Sequence, residues 1–317
     1  MADKKNFVII NTQFIGDSIL TNSLVQNIKR IYDDANVIMV VAPYMAEIAK
    51  YLKGVDDVVV WDRFNKDRGF IPTLRFVHNF PYKHVYASFP IYGTDRPVVI
   101  SRLLGSRYVL CGKQKFFSNF RNSKYPVILD AETAQEEALQ LLSGITRERL
   151  ADVPNILELP DKKISIIDGL EDYTVIIPAS TRLSKEIPVE LITDIISNCK
   201  EKKFVLLGSG DLVSNYSKKL AHYKFDNLID LTNKTTLLDA AYIIKKSNAV
   251  ISSDTGLMHI SCALNKPTVA LFFEDFTKKF IPKQGIYNCI SITENHNLEN
   301  VLDCLKKVTE QKELIHV

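Results

Sequence analysis

Apolar runs of strand length alternate with amphipathic helix patterns along the whole chain, and its two halves open alike. In the first half, Phe7-Val8-Ile9-Ile10 reads as a strand, the turn Asn11 to Gly16 follows, and Ile19, Leu20, Leu24, Ile28 and Ile31 then recur on one helical face. In the second half, Thr174-Val175-Ile176-Ile177 is again a strand. A polar turn from Pro178 to Glu186 leads to a helix that starts near Pro188 and carries Leu191, Ile192, Ile195 and Ile196. The pattern predicts further strands at 37–41, 58–61, 84–88 and 108–111, then at 204–207, 228–230, 249–252 and 268–272, with a helix over 237–246. Such alternation implies parallel sheets covered by helices on both faces. The expected fold class is α/β, with two Rossmann-like doubly wound domains over residues 1–160 and 173–317. The linker is expected at about 151–172, where Pro154 and Pro160 fall among charges. Two such domains would bring both C-terminal strand edges to a central cleft.

A chain of 317 residues has room for two ordinary cores. A net charge of +3 is small for a nucleic-acid binder driven by bulk charge. The apolar run 7–10 is too short for a signal-peptide core, and no later run spans a bilayer. Cys111, Cys199, Cys262, Cys289 and Cys304 are scattered, odd in number and without a CxxC pair, which suits thiols in a reducing cytosol. Cys262 reads as a small apolar filler, and Trp61, Phe76, Phe80, Tyr82 and Tyr86 as core.

The most informative stretch is Ser252-Ser253-Asp254-Thr255-Gly256-Leu257-Met258-His259, between the strand pattern Ala249-Val250-Ile251 and a helix that ends before Pro267. In parallel sheets, ligands bind where a strand gives way to a helix, because the helix N-terminus offers unpaired N–H groups and partial positive charge. Gly256 permits close approach of a phosphate. Asp254 would repel that phosphate but can accept hydrogen bonds from hydroxyls, a combination that suggests a nucleotide-sugar site. The alternative is that Asp254 merely caps the helix. His259, one turn further along, would touch the nucleotide or brace the loop.

Gly16-Asp17 closes the first strand-to-helix turn. Asp17 is either a general base for an acceptor hydroxyl or an N-cap. Ser180, Thr181, Arg182 and Lys185 open the second domain with hydroxyls and cations suited to a departing diphosphate, Lys185 foremost; a solvated loop is the alternative. Gly208-Ser209-Gly210-Asp211 would let a nucleoside lie against backbone, with Asp211 on a ribose hydroxyl, although an ordinary turn explains it equally. There is no Asp-x-Asp and no cluster with metal-ligand spacing, so no metal is expected. Arg96, Arg102, Arg107, Lys113, Lys115, Arg121 and Lys124 belong to a region without an acidic residue from 97 through 129, interleaved with Phe116, Phe117 and Phe120. That excess suits an anionic acceptor or membrane surface, or else a solvated face.

Taken together, Asp254-Thr255-Gly256-Leu257-Met258-His259, with Ala263-Leu264 and Pro267, resembles the C-terminal signature of glycosyltransferase family 9, the bacterial lipopolysaccharide heptosyltransferases. Val8-Ile9-Ile10, Ile15-Gly16-Asp17 and Leu20-Thr21 resemble its opening, and Pro178-Ala179-Ser180, Lys185 and Pro188 its middle motif. The resemblance implies a GT-B fold with an N-terminal acceptor domain and a C-terminal donor domain. It implies inverting, metal-independent transfer of a sugar, typically heptose from ADP-heptose as co-substrate, to a lipopolysaccharide or lipooligosaccharide core. It implies Asp17 and Lys185 as catalytic residues. Ser180, Thr181, Lys185, Gly208, Asp211, Asp254, Thr255, Gly256 and His259 are expected on the donor. Gly16, Arg96, Arg102, Arg107 and Lys113 are expected on an anionic glycolipid acceptor. The expected location is cytoplasmic, peripheral on the inner membrane, without a nucleic-acid partner. Asn11 stands where the family commonly has Arg, Ser23 where Pro is usual, and Phe272-Phe273-Glu274-Asp275-Phe276 replaces a Gly-containing turn, which leaves the donor sugar open. Another sugar-nucleotide enzyme such as a 2-epimerase, and a non-catalytic nucleotide-sugar binder, remain as alternatives.

Overall fold

The computed structural model describes residues 4–91, 95–112, 122–127, 129–179, 182–283 and 285–310. The chain divides into two compact units, Met1–Asn155 and Ile156–Val317. Residues 156–172 therefore belong with the second unit. The Leu157 N–H donates to the Ala263 carbonyl (2.9 Å), and the Lys245 ammonium reaches the Leu159 carbonyl (2.8 Å).

The first unit runs β1 (Lys5–Asn11), α1 (Ile15–Leu20), α2 (Asn22–Ile31), β2 (Ala35–Val41), α3 (Ala46–Ala49), β3 (Asp57–Val60), α4 (Phe70–His78), β4 (Val85–Pro90), α5 (Asp95–Leu103), β5 (Tyr108–Val109) and α6 (Ala134–Gln140). Its sheet has the order β3-β2-β1-β4-β5 and every pairing is parallel. Phe7 to Ile10 have no exposed surface because helices cover both faces of β1, which is why the middle of that strand is continuously apolar. From α2, Leu24, Val25 and Ile28 are fully buried. Each such side chain stabilises the fold by about 1.5–3 kcal/mol. Trp61 is buried with its ring 5.8 Å from Phe76, which leans on Phe80, and Phe80 on Tyr82; Trp61 and Phe80 are core as expected, whereas Phe76 and Tyr82 pack half-buried against them. Tyr86 instead packs between Phe7 and Tyr108 on another part of the same sheet.

The second unit runs β6 (Tyr173–Ile177), α7 (Val189–Asn198), β7 (Lys203–Leu206), α8 (Asp211–Ala221), β8 (Leu228–Asp230), α9 (Leu237–Lys246), β9 (Ala249–Ser253), α10 (Gly256–Ala263), β10 (Thr268–Leu271), β11 (Cys289–Ile292) and α11 (Leu298–Glu310). Its sheet has the order β11-β10-β9-β6-β7-β8, again all parallel. The predicted helix over 237–246 is present, closed at its start by a capping box of Thr236 and Asp239. Pro188 is the N-cap of α7 rather than its first helical residue. Strand β11 is not legible as a strand in the sequence. Three of its four residues are only half-buried, and Asn288 and Ser291 interrupt the apolar run.

In each sheet the chain builds outward on one side of the first strand and then crosses to the other. The crossing falls between β1 and β4 in the first unit and between β6 and β9 in the second. Beyond the carboxyl ends of such a strand pair, the departing loops diverge and leave a crevice for a ligand.

Candidate functional site

Register brings the two loops of the second unit together. Ile177, the last residue of β6, pairs with Ser252 of β9. The chain after Ile177 therefore leaves the sheet beside Asp254-Thr255-Gly256. Lys185 ends a 3-10 turn, Leu183–Lys185, and its ammonium lies 2.5 Å from the Asp254 carboxylate. The side chains are 16% and 7% exposed, so the pair is largely shielded from water. Lys185 is thus not the solvated loop lysine that the sequence allows. An ammonium carries three donors, and the contact with Asp254 engages one of them, so the remaining directions suit anionic oxygens.

Asp254 does not cap α10. The cap is Thr255, whose hydroxyl oxygen accepts from the Met258 N–H (3.2 Å) with extended backbone at φ −138. The Ser252 hydroxyl donates to the Ser253 carbonyl (2.7 Å) and lies 3.3 Å from the Thr255 hydroxyl, which holds the turn. Asp254 is thereby left for Lys185 and for whatever the turn binds. His259 is buried on α10. Burial pushes its imidazole down to about 4, the Asp254 carboxylate opposes that shift, and the Lys185 ammonium adds to it. The ring is therefore neutral near pH 7, and Asp254, Lys185 and His259 share one electrostatic neighbourhood.

One support of this site escapes sequence reasoning. The Ser184 hydroxyl donates to Glu274 in the turn after β10, so the stretch that departs from the family pattern braces the turn carrying Lys185. In that same stretch Phe272 is buried, and Phe273 stacks on His296 with ring centroids 4.3 Å apart. The Gly208-Ser209-Gly210-Asp211 turn, which the sequence does mark, follows β7. Gly208 has φ +147, and a Cβ there would come within 2.9 Å of a Val213 methyl. Gly210 is the N-cap of α8 at φ +98, with its N–H held by the Asn233 side chain at 2.8 Å. Asp211 is the first residue of α8 and is exposed at the same strand edge. Ser180 and Thr181 lie outside the described residues.

In the first unit, Asp17 sits at the third position of α1 and is half-buried, with Gly16 buried beside it. The N-cap is Phe14, which has no capping side chain, so Asp17 is not the cap. The buried Asn11 side chain ties the turn. Its amide donates to the Asp17 carbonyl (2.9 Å), and its oxygen accepts from the Gln13 N–H (3.2 Å). Tyr44, after β2, donates to the Gln13 carbonyl, and Arg63, after β3, donates to the Gln13 side chain at 3.1 Å. Burial pushes the Tyr44 phenol up against the pull of Arg63, and the Asp17 carboxylate adds to the rise. Burial lowers the Arg63 guanidinium, Tyr44 opposes, and Arg96 lowers it further. Tyr44 and Arg63 thus share an edge with Asp17 and Arg96, although no motif marks them in the sequence.

The basic residues do not all gather there. Arg96 is the second residue of α5, at the carboxyl end of β4, whereas Arg102 is in the last turn of that helix. The Arg107 N–H donates to the carbonyl of Val85, the first residue of β4, and its guanidinium lies over the Tyr108 ring. Arg102 and Arg107 are therefore at the opposite, amino edge of the sheet. Lys113, Lys115, Phe116, Phe117, Phe120 and Arg121 lie outside the described residues.

Among the described residues no group of three or more His, Cys, Asp or Glu side chains is placed to hold a metal ion, and no helix is long and apolar enough to cross a membrane.

The family model described as glycosyltransferase family 9 (heptosyltransferase) matches residues 121–309. A stretch of 44 residues, 14% of this chain, is 43% identical to lipooligosaccharide heptosyltransferase 2 of Haemophilus influenzae and spans 13% of that protein. Over nearly full length the fold is similar to that of a family 9 glycosyl transferase from Veillonella parvula. The TM-score is 0.85 at 14% identity, covering 98% of this chain and 99% of that one. It is likewise similar to the E. coli heptosyltransferase WaaC with ADP, with a TM-score of 0.77 at 18% identity over 96% and 99% of the two chains. The fold class is therefore GT-B, built from two doubly wound domains.

Proposed function

The chain belongs to glycosyltransferase family 9, and on that premise we propose that it is an inverting glycosyltransferase. It moves a heptose from ADP-heptose to the core of a lipopolysaccharide or lipooligosaccharide acceptor, without a metal cofactor. The observation that carries this reading is the shielded contact of Lys185 with Asp254 beside the Thr255-capped start of α10. A preorganised cation and a helix N-terminus stabilise the charge that grows on a departing diphosphate. They can do so without a metal bridge. Asp254, excluded from the phosphates by its charge, accepts hydroxyls of the sugar. The 208–211 turn, opened by two glycines at positive φ, lets the nucleoside approach the backbone, with Asp211 toward the ribose. A relative of the same fold solved with ADP supports an adenine nucleotide as the leaving group.

On the acceptor side Asp17 takes the proton of the attacking hydroxyl. A half-buried carboxylate near the phenol of Tyr44, and not itself the helix cap, fits a base better than an exposed cap would. Gly16 adjoins that carboxylate in the chain, and Arg96, close to Arg63, meets the anionic groups of the acceptor together with it. The enzyme works in the cytoplasm, peripheral on the inner membrane where a glycolipid acceptor is presented.

The test is an assay with ADP-heptose and a delipidated inner-core acceptor in excess chelator, following ADP release and the glycosylated product. Acceptor-dependent ADP release with transfer is expected. Release of nucleotide or isomerised sugar without acceptor would instead identify a sugar-nucleotide enzyme of the epimerase type. Donor binding without turnover would identify a non-catalytic binder.

A further inference from the structure

Helix α4 has two apolar faces, and only one of them is covered. Thr73, Phe76 and Val77 turn inward, the latter two onto the cluster around Trp61. On the outer side Phe70, Ile71 and Leu74 follow at i, i+1 and i+4, with Phe70 73% and Ile71 70% exposed. Phe64, in the loop leading to the helix, is 58% exposed. Single exposed apolar residues are ordinary, but a row of them on one helix face is not. The row is held firmly. Gly69 at φ +106 turns the chain into the helix, and Pro72 falls in the first turn, where a missing N–H costs nothing.

Cations surround this row. Lys66 and Arg68 precede the helix and Arg75 follows Leu74, all exposed. The two carboxylates of the same segment are turned to backbone. Asp62 accepts from the Asn65 N–H (3.3 Å) and Asp67 from the Asp62 N–H (2.9 Å).

We infer that the outer face of α4 and the loop before it form a docking surface for an anionic phospholipid bilayer. Phe64, Phe70, Ile71 and Leu74 enter the interfacial region, while Lys66, Arg68 and Arg75 meet headgroup phosphates. The inference rests on the reading that the acceptor is carried by a membrane, and it names a surface other than the basic stretch of 96–124. A second copy of the chain is a poorer occupant. A two-fold pairing would set these cations against themselves, and four apolar side chains fall short of the roughly 800 Å² per partner of a stable interface.

Co-sedimentation with phosphatidylcholine vesicles, with and without phosphatidylglycerol, tests this. It needs neither donor nor acceptor, so its outcome is independent of whether the transferase reading holds. The chain is expected to sediment with the anionic vesicles and to be released by salt. The variant R68Q/R75Q should weaken the partition about thirtyfold, from two cations at the surface. The variant F70S/I71S should weaken it at least about tenfold, since the Phe70 ring and the Ile71 side chain would otherwise leave water. Both pairs are exposed, so the melting temperature should hold. Equal binding to neutral vesicles, no binding to either kind, or wild-type binding by both variants would each overturn the inference. So would a concentration-dependent dimer abolished by F70S/I71S, which would make a second copy the occupant.

Discussion

The Lys185 ammonium and the Asp254 carboxylate meet at 2.5 Å where the loops after β6 and β9 leave the second sheet. Sixty-nine positions separate them in the chain. Parallel pairing of β6 with β9 makes them neighbours, and shielding from water strengthens their attraction. A residue expected to serve a phosphate and one expected to serve a sugar thus position each other before any ligand arrives.

Lys185→Ala should therefore affect both stability and turnover. Removing the cation leaves Asp254 buried and unpaired, at a cost of about 3–5 kcal/mol. Removing both partners in K185A/D254A should cost less than the sum of the single variants. Urea denaturation of the three variants measures this coupling. In turnover at saturating donor, K185A should lose about 10²–10³-fold, as when one preorganised charge-stabilising group is removed. Unchanged turnover in a folded K185A would exclude Lys185 from catalysis.

Asp17→Asn should abolish most transfer and leave folding intact. Asn keeps the size of the side chain in the first turn of α1, and the cap at Phe14 is untouched. It cannot take a proton, so a loss of roughly 10²–10⁴-fold is expected with donor affinity unchanged. Parallel measurement of turnover, donor titration and melting temperature checks the split; substantial residual activity would remove Asp17 as the base.

His259 gives stability a pH dependence of definite sign. Its native pKa of about 4 lies below the ordinary 6.5. Between these values the unfolded chain binds a proton that the native chain refuses, so stability falls as pH drops from 6.5 toward 4 and its share levels off below that. The full span corresponds to a loss on the order of 3 kcal/mol. Denaturation across that window should show a shallower slope for His259→Gln than for wild type. An identical slope would mean that His259 titrates normally in the fold.

Gly208→Ala should destabilise the second unit by about 1–3 kcal/mol, because an L side chain is strained at φ +147. The added methyl would also press on Val213. Combining it with Val213→Ala removes the collision but not the backbone term, so only partial recovery of the denaturation midpoint is expected. Full recovery would assign the whole effect to the side chain.

Much of this architecture was legible in the sequence because secondary structure answers to local rules. The buried middles of β1, β6 and β9 carry apolar runs such as Phe7-Val8-Ile9-Ile10, the helix over 237–246 carries its own cap, and Asp254-Thr255-Gly256 falls where a strand must hand over to a helix. Strand β11 escaped because an edge strand half-covered by its neighbours needs no apolar run.

What the tertiary structure decided is which side chains face each other and how dry they are. Whether Asp17 or Asp254 caps its helix turns on a difference of a few residues at the helix start, and the folded chain gives those caps to Phe14 and Thr255. Lys185 reads alone as a solvated loop residue and becomes a shielded partner of Asp254 only through strand register. Arg96 and Arg107 look equivalent in a run of basic residues, yet α5 carries the chain across the sheet and leaves them at opposite edges. Tyr44 and Arg63 reach the turn before Asp17 through Gln13, from loops that bear no motif at all. Periodicity records which face of an element is buried. Proximity, desolvation and charge at a site depend on elements far apart in the chain, and those are set only when the sheet has ordered its strands.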